Sequence, residues 1–559
     1  MATRHRIDNA LTNINMGDVE KYFSQLSNII ENNSGTHDCK MISHDCNNTA
    51  VPVHAGQFTR FKLTDHAMDI VDISKGYIMM KLEMDINFDY GEWQSSNTNV
   101  YPNRPWYFVG FKSSSHIVEI YNVYSNGVLT ACKQTKAKHE QAIVYNSKAK
   151  EERVGRPGMY STHDKVKEMS DCVCGVYVRS PLAADKSKTV TVTFDVVIQV
   201  DDLLPFSAFE YFPRFLCGEL ELEISASLHN NMVFCQLPLE FTEANIDDTM
   251  AETDYIISFD SYLNRSRFDR LTDMRFTQCG DYIEGESPYT MHMYGSSDNL
   301  GTNAGTMDGK MKASASIKPM TIRTSNLVIR EAKSYIHGFN IKDTAKQNIL
   351  NMFGDKNLVI PAQWIDHFTF SQLPTTNSIR TNIQTALFNA TQVILTFPNS
   401  ANQLTVSRNP HLESIQCQIA DKIIPDKFFS TLDKAHAEMI ISNLNMDSLF
   451  SAPDELIEAL TKDRGTNGSW SLKKVDDSDY QLVFNLERFG NGCFCDGLTG
   501  NPVPINFQAN FMNGTHNPHY YDKSGKLLQQ NVNLFIVSDA FWVCNRNGCQ
   551  FIKDVSTQY

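Results

Sequence analysis

Apolar and polar residues alternate with a period of two along several segments of the chain. In the clearest segment, from Ile78 to Phe88, every second residue is apolar and the intervening positions include lysine, glutamate, aspartate and asparagine. Such a period buries one face of a strand and exposes the other. The same alternation recurs at residues 190–200, 220–226, 393–397, 505–511 and 532–536. The sequence therefore predicts strands in both halves of the chain.

These strands are not separated by regular helical crossovers, which disfavours a parallel doubly wound sheet or barrel. One-sided strands are typical of antiparallel sandwiches. Both halves also show the same order of elements: an early strand, an apolar segment, a long connection and a later strand pair. The predicted fold class is mainly β with a few short helices, and two copies of one β architecture would explain the order.

Three segments have helical spacing, and one segment is rich in glycine. Apolar residues predict helices over 19–30, after Asp18 as N-cap, and over 454–460. A third helix is predicted over 343–353, with Asp343 as N-cap and Gly354 beyond its end. The segment 279–320 has six glycines and no apolar period, so we expect an exposed loop. We therefore divide the chain into an arm and helix (1–49), a first β domain (50–342) containing the Gly-rich loop, a connecting helix (343–356) and a second β domain (357–559).

Composition narrows the functional classes. The chain has 559 residues, 42% of them hydrophobic, which suits roughly two to four packed domains. The net charge is −14 and basic residues form no long run, so an extended surface for nucleic-acid phosphates is not expected. No stretch reaches the about 18 consecutive apolar residues of a membrane span, and no apolar region follows Arg4 and Arg6. We expect synthesis without a signal peptide.

Close cysteine pairs are the first candidates for a chemical site. The chain has 13 cysteines, an odd number spread over a long sequence, so we expect most to be reduced. Cys493, Cys495, Cys544 and Cys549 supply four thiols, and Cys172 with Cys174 forms a similar pair. Their spacing differs from zinc knuckles, and residues two apart share a strand face. We interpret them as strand-face packing, not as metal ligands.

Histidines and aspartates form two further groups. His516 and His519, followed by Asp522, lie in a turn-rich segment, which favours a solvated loop over a ligand pair. Asp476, Asp477 and Asp479 lack the glycine and downstream glutamate of a calcium loop, which favours a charged hairpin tip.

No catalytic motif is found. The segment 301–310 differs from a phosphate-binding loop, because Ala304 and Met311 replace residues that the loop requires. A nucleophile elbow and a zinc-protease motif are also missing from the sequence. We therefore predict no enzyme, no catalytic or metal-binding residues and no cofactor.

Three segments resemble a known protein family. Residues 204–213 (LPFSAFEYFP), leading into the strand at 220–227, resemble the first-domain core of double jelly-roll major capsid proteins of Polinton (Maverick) elements, adintoviruses and virophage-like viruses. Residues 108–113 and 120–124 are similar to an earlier strand region of that family, and residues 409–416 to its second domain. The resemblance covers most of residues 50–559.

The resemblance implies two antiparallel eight-stranded jelly-roll sandwiches side by side. It also implies a virion protein that forms homotrimers. Each trimer would be a pseudo-hexameric capsomer, and the capsomers would form an icosahedral capsid around a double-stranded DNA genome. The implied partners are neighbouring capsomers, a penton protein and minor capsid proteins. The Gly-rich loop would then lie on the outer side of the capsomer. A different class remains open: a β-sandwich protein that binds or modifies carbohydrate.

Overall fold

The structure is a computed structural model, and the statements below concern the residues that it describes. These are residues 3–4, 36–46, 53–54, 56–89, 106–111, 113–133, 137–148, 156, 174–179, 187–207, 209–226, 233–236, 277–278, 290–292, 319–353, 357–372, 378–397, 412–420, 422–424, 480–487, 493–494, 497–511 and 530–553.

A helix, Asp343–Phe353, lies between two strand-rich halves. We use "N-terminal half" for the described residues before it and "C-terminal half" for those after it. Among the described residues, the other helical segments all belong to the N-terminal half. They are the α-helices Ala137–Ser147 and Arg214–Cys217 and the 3-10 turns Ser114–Ile117, Val200–Asp202 and Leu204–Phe206.

The N-terminal half is built mainly of strands. They are β1 (Thr3–Arg4), β2 (Thr36–Asp45), β3 (Val53–His54), β4 (Phe58–Lys62), β5 (Ile70–Asp89), β6 (Trp106–Gly110), β7 (Val118–Ser125), β8 (Val128–Lys133), β9 (Gly175–Arg179), β10 (Ser187–Gln199), β11 (Tyr211–Pro213), β12 (Leu220–Ala226), β13 (Val233–Gln236), β14 (Thr277–Gln278), β15 (Thr290–His292) and β16 (Pro319–Ile341).

Three sheets organise most of these strands. The largest has the order β10-β5-β16-β15, with β2 and β3 along β16 and β11 on β5. The others have the orders β4-β12-β7-β8 and β14-β13-β6-β9. In β5 the predicted alternation is present, since Ile78, Met80, Leu82, Met84 and Ile86 are fully buried. This strand is the centre of the largest sheet because β10 and β16 pair with its two edges.

The C-terminal half has one large sheet. Its strands are β17 (Leu358–Gln372), β18 (Ser378–Thr396), β19 (Leu412–Ile419), β20 (Lys422–Ile424), β21 (Gln481–Asn485), β23 (Leu498–Phe511), β24 (Gln530–Asn545) and β25 (Gly548–Ile552), while β22 (Cys493–Phe494) pairs with β1. The eight strands follow the order β17-β24-β18-β23-β19-β20, with β21 on β18 and β25 on β24. Apart from the pair β1–β22, every described strand pairing is antiparallel. The predicted mainly β, antiparallel fold class with few short helices is confirmed.

Two hydrophobic cores fill the structure, and each crosses the boundary between the halves. The first contains most buried residues of the N-terminal half together with the ends of β17, β24 and β25. The second contains most buried apolar residues of the C-terminal half, together with Ile143, Val144, Tyr145 and Leu204. The two halves are therefore packed against each other through apolar side chains.

The outcome differs among the segments that the sequence predicted. The helix expected over 343–353 is present. The long connection expected in the first half contains the helix Ala137–Ser147. Within the Gly-rich segment, Thr290–His292 pairs with Pro319–Thr321, and most of the remaining segment lies outside the described residues. The helices predicted over 19–30 and 454–460 also lie outside them. No helix in the described part of the chain is long and apolar enough to cross a membrane.

Candidate functional site: the junction between the two halves

The segment that carries the family resemblance forms a compact turn at the junction. Pro205 lies in the first turn of a 3-10 helix, where its fixed φ suits a helical start and its missing N–H has no helical partner to lose. The next turn continues through Phe209, whose N–H donates to the Phe206 carbonyl at 2.9 Å. This spacing of three places buried Phe206, Phe209 and Phe212 in a row, with ring centroids 6.1 and 5.7 Å apart.

Trp542 of the C-terminal half inserts into this row of rings. Its side chain is fully buried, and its ring stacks on Phe206 at 5.8 Å and meets Phe209 edge-on at 5.8 Å. On the other side it contacts Phe551 at 5.1 Å. The indole Nε1 donates a hydrogen bond to the Pro205 carbonyl at 2.6 Å, so the one polar atom of this side chain is satisfied. Trp542 is thus a shared core residue of both halves.

A second contact joins the β7–β8 turn to the β24–β25 hairpin. The turn residues Asn126 and Gly127 have φ values of 49° and 78°, as a tight type I′ hairpin requires. Ser125 Oγ accepts a hydrogen bond from the Cys549 backbone N–H at 2.8 Å. The Asn126 amide donates weakly to the Asn547 carbonyl at 3.4 Å, while its Oδ1 accepts from the Glu219 N–H at 2.8 Å. The amide of Asn126 therefore bridges two segments of the N-terminal half and the final hairpin.

Gly218 allows this close approach. Its φ of +84° lies in the left-handed region, and a Cβ placed there would lie within 2.2 Å of Asn126 Oδ1. A side chain at position 218 would therefore be strained and would displace the amide.

Three cysteines converge beside the same contact. Cys217 ends the helix Arg214–Cys217, Cys544 lies on β24 and Cys549 on β25. All three are buried, and their Sγ atoms lie within 4.8 Å of one another. Cys544 and Cys549 occupy paired positions of the hairpin and form a disulfide. Burial raises the pKa of the Cys217 thiol well above its usual value, so this side chain is neutral in the fold.

A buried charged cluster lies next to the aromatic turn. Arg156 Nη1 donates to Asp202 Oδ1 at 2.6 Å and to Asp201 Oδ1 at 2.8 Å, and Lys148 Nζ lies 3.7 Å from Asp202 Oδ1. Burial raises the pKa of Asp202 from 3.8 to about 6, and the two cations lower it only in part. The folded-state pKa lies above the ordinary value, so the fold favours the protonated acid. The stability that Asp202 contributes is therefore present below about pH 4 and declines as pH rises towards about 6.

The cysteines that the sequence analysis weighed do not form one group in the described residues. Cys493 lies on β22, in a small sheet with β1, and Cys174 lies buried beside β9. Cys544 and Cys549 instead lie beside Cys217, which no sequence pattern had singled out. The other weighed positions lie outside the described residues: Cys172, Cys495, His516, His519, Asp522, Asp476, Asp477, Asp479 and residues 301–310. That none of these binds a metal stays a prediction.

No sequence pattern predicted that the residues of the junction lie together. Trp542 and Pro205 are separated by 337 positions, so no local pattern connects them. The aromatic spacing of Phe206, Phe209 and Phe212 was the available signal, and it marked one side of the junction alone.

Comparisons with known proteins give structural matches alone. No protein-family model and no curated protein matches this sequence. Similar solved structures include the Sputnik virophage determined by cryo-EM, with TM-score 0.48 and 10% identity, covering 94% of this chain and 90% of that chain. The mavirus major capsid protein matches with TM-score 0.47 and 8% identity, covering 93% and 90%. The Faustovirus major capsid protein matches with TM-score 0.41 and 8% identity, covering 91% of each chain.

Proposed function

We propose that the chain is a major capsid protein, a structural component of a virion. The observation that carries this proposal is the junction. Residues 204–213, which resemble double jelly-roll capsid proteins, are also the residues that pack the two β halves against each other around Trp542. In a capsid shell, each of the two β units would make its own contacts with neighbouring subunits. The two units must therefore keep a fixed orientation relative to each other.

The finer proposal concerns assembly. Three subunits, each with two jelly rolls, would form a pseudo-hexameric capsomer, and such homotrimers would tile an icosahedral shell around double-stranded DNA. Neighbouring capsomers, a penton protein and minor capsid proteins would be the partners. The exposed apolar residues Val128 (66% exposed) and Leu129 (50%) lie on β8, at the end of a four-stranded sheet, where an intersubunit contact would bury them. The net charge of −14 supports a shell that does not hold DNA through an extended basic surface.

Electron microscopy and mass measurement test this function together. The purified full-length protein should have three times the monomer mass in size-exclusion chromatography with light scattering. Negative-stain images should show particles with six lobes. A monomer at micromolar concentration, or trimers without this outline, would contradict the proposed capsomer.

A carbohydrate-binding or carbohydrate-active protein is the other class considered. One small pocket is lined by Trp364, Asp366, Phe388 and Lys553, among others. Trp364 is only 6% exposed and Lys553 Nζ lies 5.4 Å above its ring, so little of the indole is available for a sugar to stack on. Asp366 is the single carboxylate in the pocket lining, whereas most glycosidases use two. These features argue against a carbohydrate-active site in this pocket. Specific retention on a glycan array would favour the carbohydrate-binding class over a capsid role.

We also propose that the chain divides at residues 343–356 into a first β domain (50–342) and a second (357–559), after an arm (1–49). The helix Asp343–Phe353 between the strand-rich halves supports this division. Limited proteolysis should first cut outside the two cores. Stable fragments that split either domain far from the helix would contradict it.

A further inference from the structure

The three cysteines at the junction form an unusual group. In the described part of the chain, they are the one set of three or more histidine, cysteine or acidic side chains whose ligand atoms come together closely enough for a metal ion. They come from separate places in the sequence: Cys217 from the N-terminal half, and Cys544 and Cys549 from the last hairpin. All three sulfur atoms point into one buried region, so the group is defined by the packing of the two halves.

Hydrogen bonds from the surrounding structure hold the backbones of Cys217 and Cys549 in place. Cys549 is fixed by the hydrogen bond from its backbone N–H to Ser125 Oγ at 2.8 Å. The Cys217 carbonyl accepts from the Asn126 amide at 3.3 Å, and the same amide contacts the Asn547 carbonyl. A single asparagine therefore holds the backbone of Cys217 near that of the hairpin. These contacts hold the backbone of Cys217 and of the hairpin in place without any ligand.

We propose that the reduced chain binds one Zn²⁺ ion through Cys217, Cys544 and Cys549, which revises the sequence-based expectation that Cys544 and Cys549 bind no metal. A thiol reductant first gives two electrons and two protons to the Cys544–Cys549 disulfide and is itself oxidised to a disulfide. The two thiols formed in this way and the thiol of Cys217 then release three protons as they bind the ion as thiolates. In the oxidised chain Cys544 and Cys549 are joined by the disulfide and do not bind the ion as thiolates, while Cys217 remains a thiol.

The ligand set selects the class of ion. Thiolates prefer soft or borderline ions such as Zn²⁺ over Mg²⁺ or Ca²⁺, which take oxygen ligands. Three thiolates with a divalent ion leave one net negative charge, whereas a monovalent ion would leave two, and buried charge is costly. Three protein ligands leave the fourth position of tetrahedral Zn²⁺ to another donor.

Zinc would link the two halves by coordination, which the disulfide does not do. The Cys544–Cys549 bond joins two neighbouring strands of one hairpin, whereas Cys217 belongs to the other half. In the reduced state the ion would thus connect the helix Arg214–Cys217 to the hairpin. We expect zinc to raise the melting temperature of the reduced full-length chain.

Metal binding to reduced and oxidised full-length protein tests the proposal. Protein reduced with tris(2-carboxyethyl)phosphine and freed of metal should bind one equivalent of Zn²⁺. With Co²⁺ as a probe, it should show thiolate-to-cobalt charge-transfer absorption. The oxidised protein should bind neither ion at this site. A reduced protein that binds no ion, or equal binding in both states, would overturn the proposal without any variant.

Two variants localise the site. Cys217→Ser should lose the stoichiometric ion and the charge-transfer absorption. Cys417→Ser is the matched control, because Cys417 is also a fully buried free thiol but lies on β19 in the other core. It should keep both. Retention of the ion by Cys217→Ser, or its loss in Cys417→Ser alone, would show that zinc binds elsewhere.

Discussion

Trp542 tests whether the junction couples the two halves. In the variant Trp542→Phe an aromatic ring remains, but the donor to the Pro205 carbonyl is lost. A buried carbonyl without a partner costs about 1–3 kcal/mol, and the smaller ring leaves a void worth about 1 kcal/mol more. We therefore expect the free energy of unfolding to fall by about 2–4 kcal/mol.

Trp542→Ala removes the ring contacts as well. The side chain meets Phe206, Phe209 and Phe551 at 5.8, 5.8 and 5.1 Å, and each such pair contributes about 0.5–1.5 kcal/mol beyond area burial. Truncation of a buried tryptophan or phenylalanine costs about 3–5 kcal/mol, and we expect this variant at the upper end of that range. Phe507→Ala is the control, because Phe507 is 2% exposed and lies in the second core, which contains neither Trp542 nor the rings that Trp542 contacts.

Differential scanning calorimetry separates loss of coupling from loss of stability. Trp542→Ala should split the unfolding of the two halves into separate transitions. Phe507→Ala should lower the transition of the C-terminal half without weakening the junction itself. The reasoning would be refuted if Trp542→Phe stayed within about 0.5 kcal/mol of the wild type, or if both alanine variants gave the same pattern of transitions.

Four further predictions concern separate parts of the molecule. Asp202→Asn should flatten the pH dependence of stability between about pH 4 and 6, where the wild type should lose up to about 3 kcal/mol as pH rises; urea titrations at several pH values measure this. Gly218→Ala should destabilise the protein by about 1–3 kcal/mol through its positive φ and the contact with Asn126, and an unchanged melting temperature would contradict this. Replacing residues 295–309 with a short Gly-Ser linker should leave a soluble trimer, whereas collapse of expression would place the segment in a core or an interface. Double-stranded DNA should not be retained by the protein in a salt-dependent filter assay near physiological ionic strength.

The sequence by itself determined where strands with one buried face lie. In β5 and β10 the alternation of apolar residues matches the observed register, in which Val192 pairs with Met84 and Phe194 with Leu82. A period of two is a local property, so it can be found without knowing the partner strand. The helix Asp343–Phe353 was predictable for the same reason, because its apolar spacing is contained in eleven residues.

Strands with irregular pairing were harder to find. The 23 residues of β16 form one strand, which the alternation did not reveal. Its register against β5 shifts at three places, between Ser325 and Val328, between Ile329 and Glu331, and between Tyr335 and His337. Each shift changes which side chains face the core, so the period of two is interrupted although the strand continues.

Only the tertiary structure decided how the two halves meet. The alternation predicted a strand over 532–536, whereas β24 extends to Asn545 and its residues from Val532 to Cys544 are buried without alternation. Both faces of this strand are buried because it passes from one core to the other: the apolar residues of 532–537 belong to the second core, and Ala540, Trp542 and Cys544 belong to the core of the N-terminal half. The contact between Trp542 and Pro205 and the group of Cys217, Cys544 and Cys549 arise from that packing. Local periodicity indicates that a residue is buried. Which residue it packs against depends on chain segments hundreds of residues away.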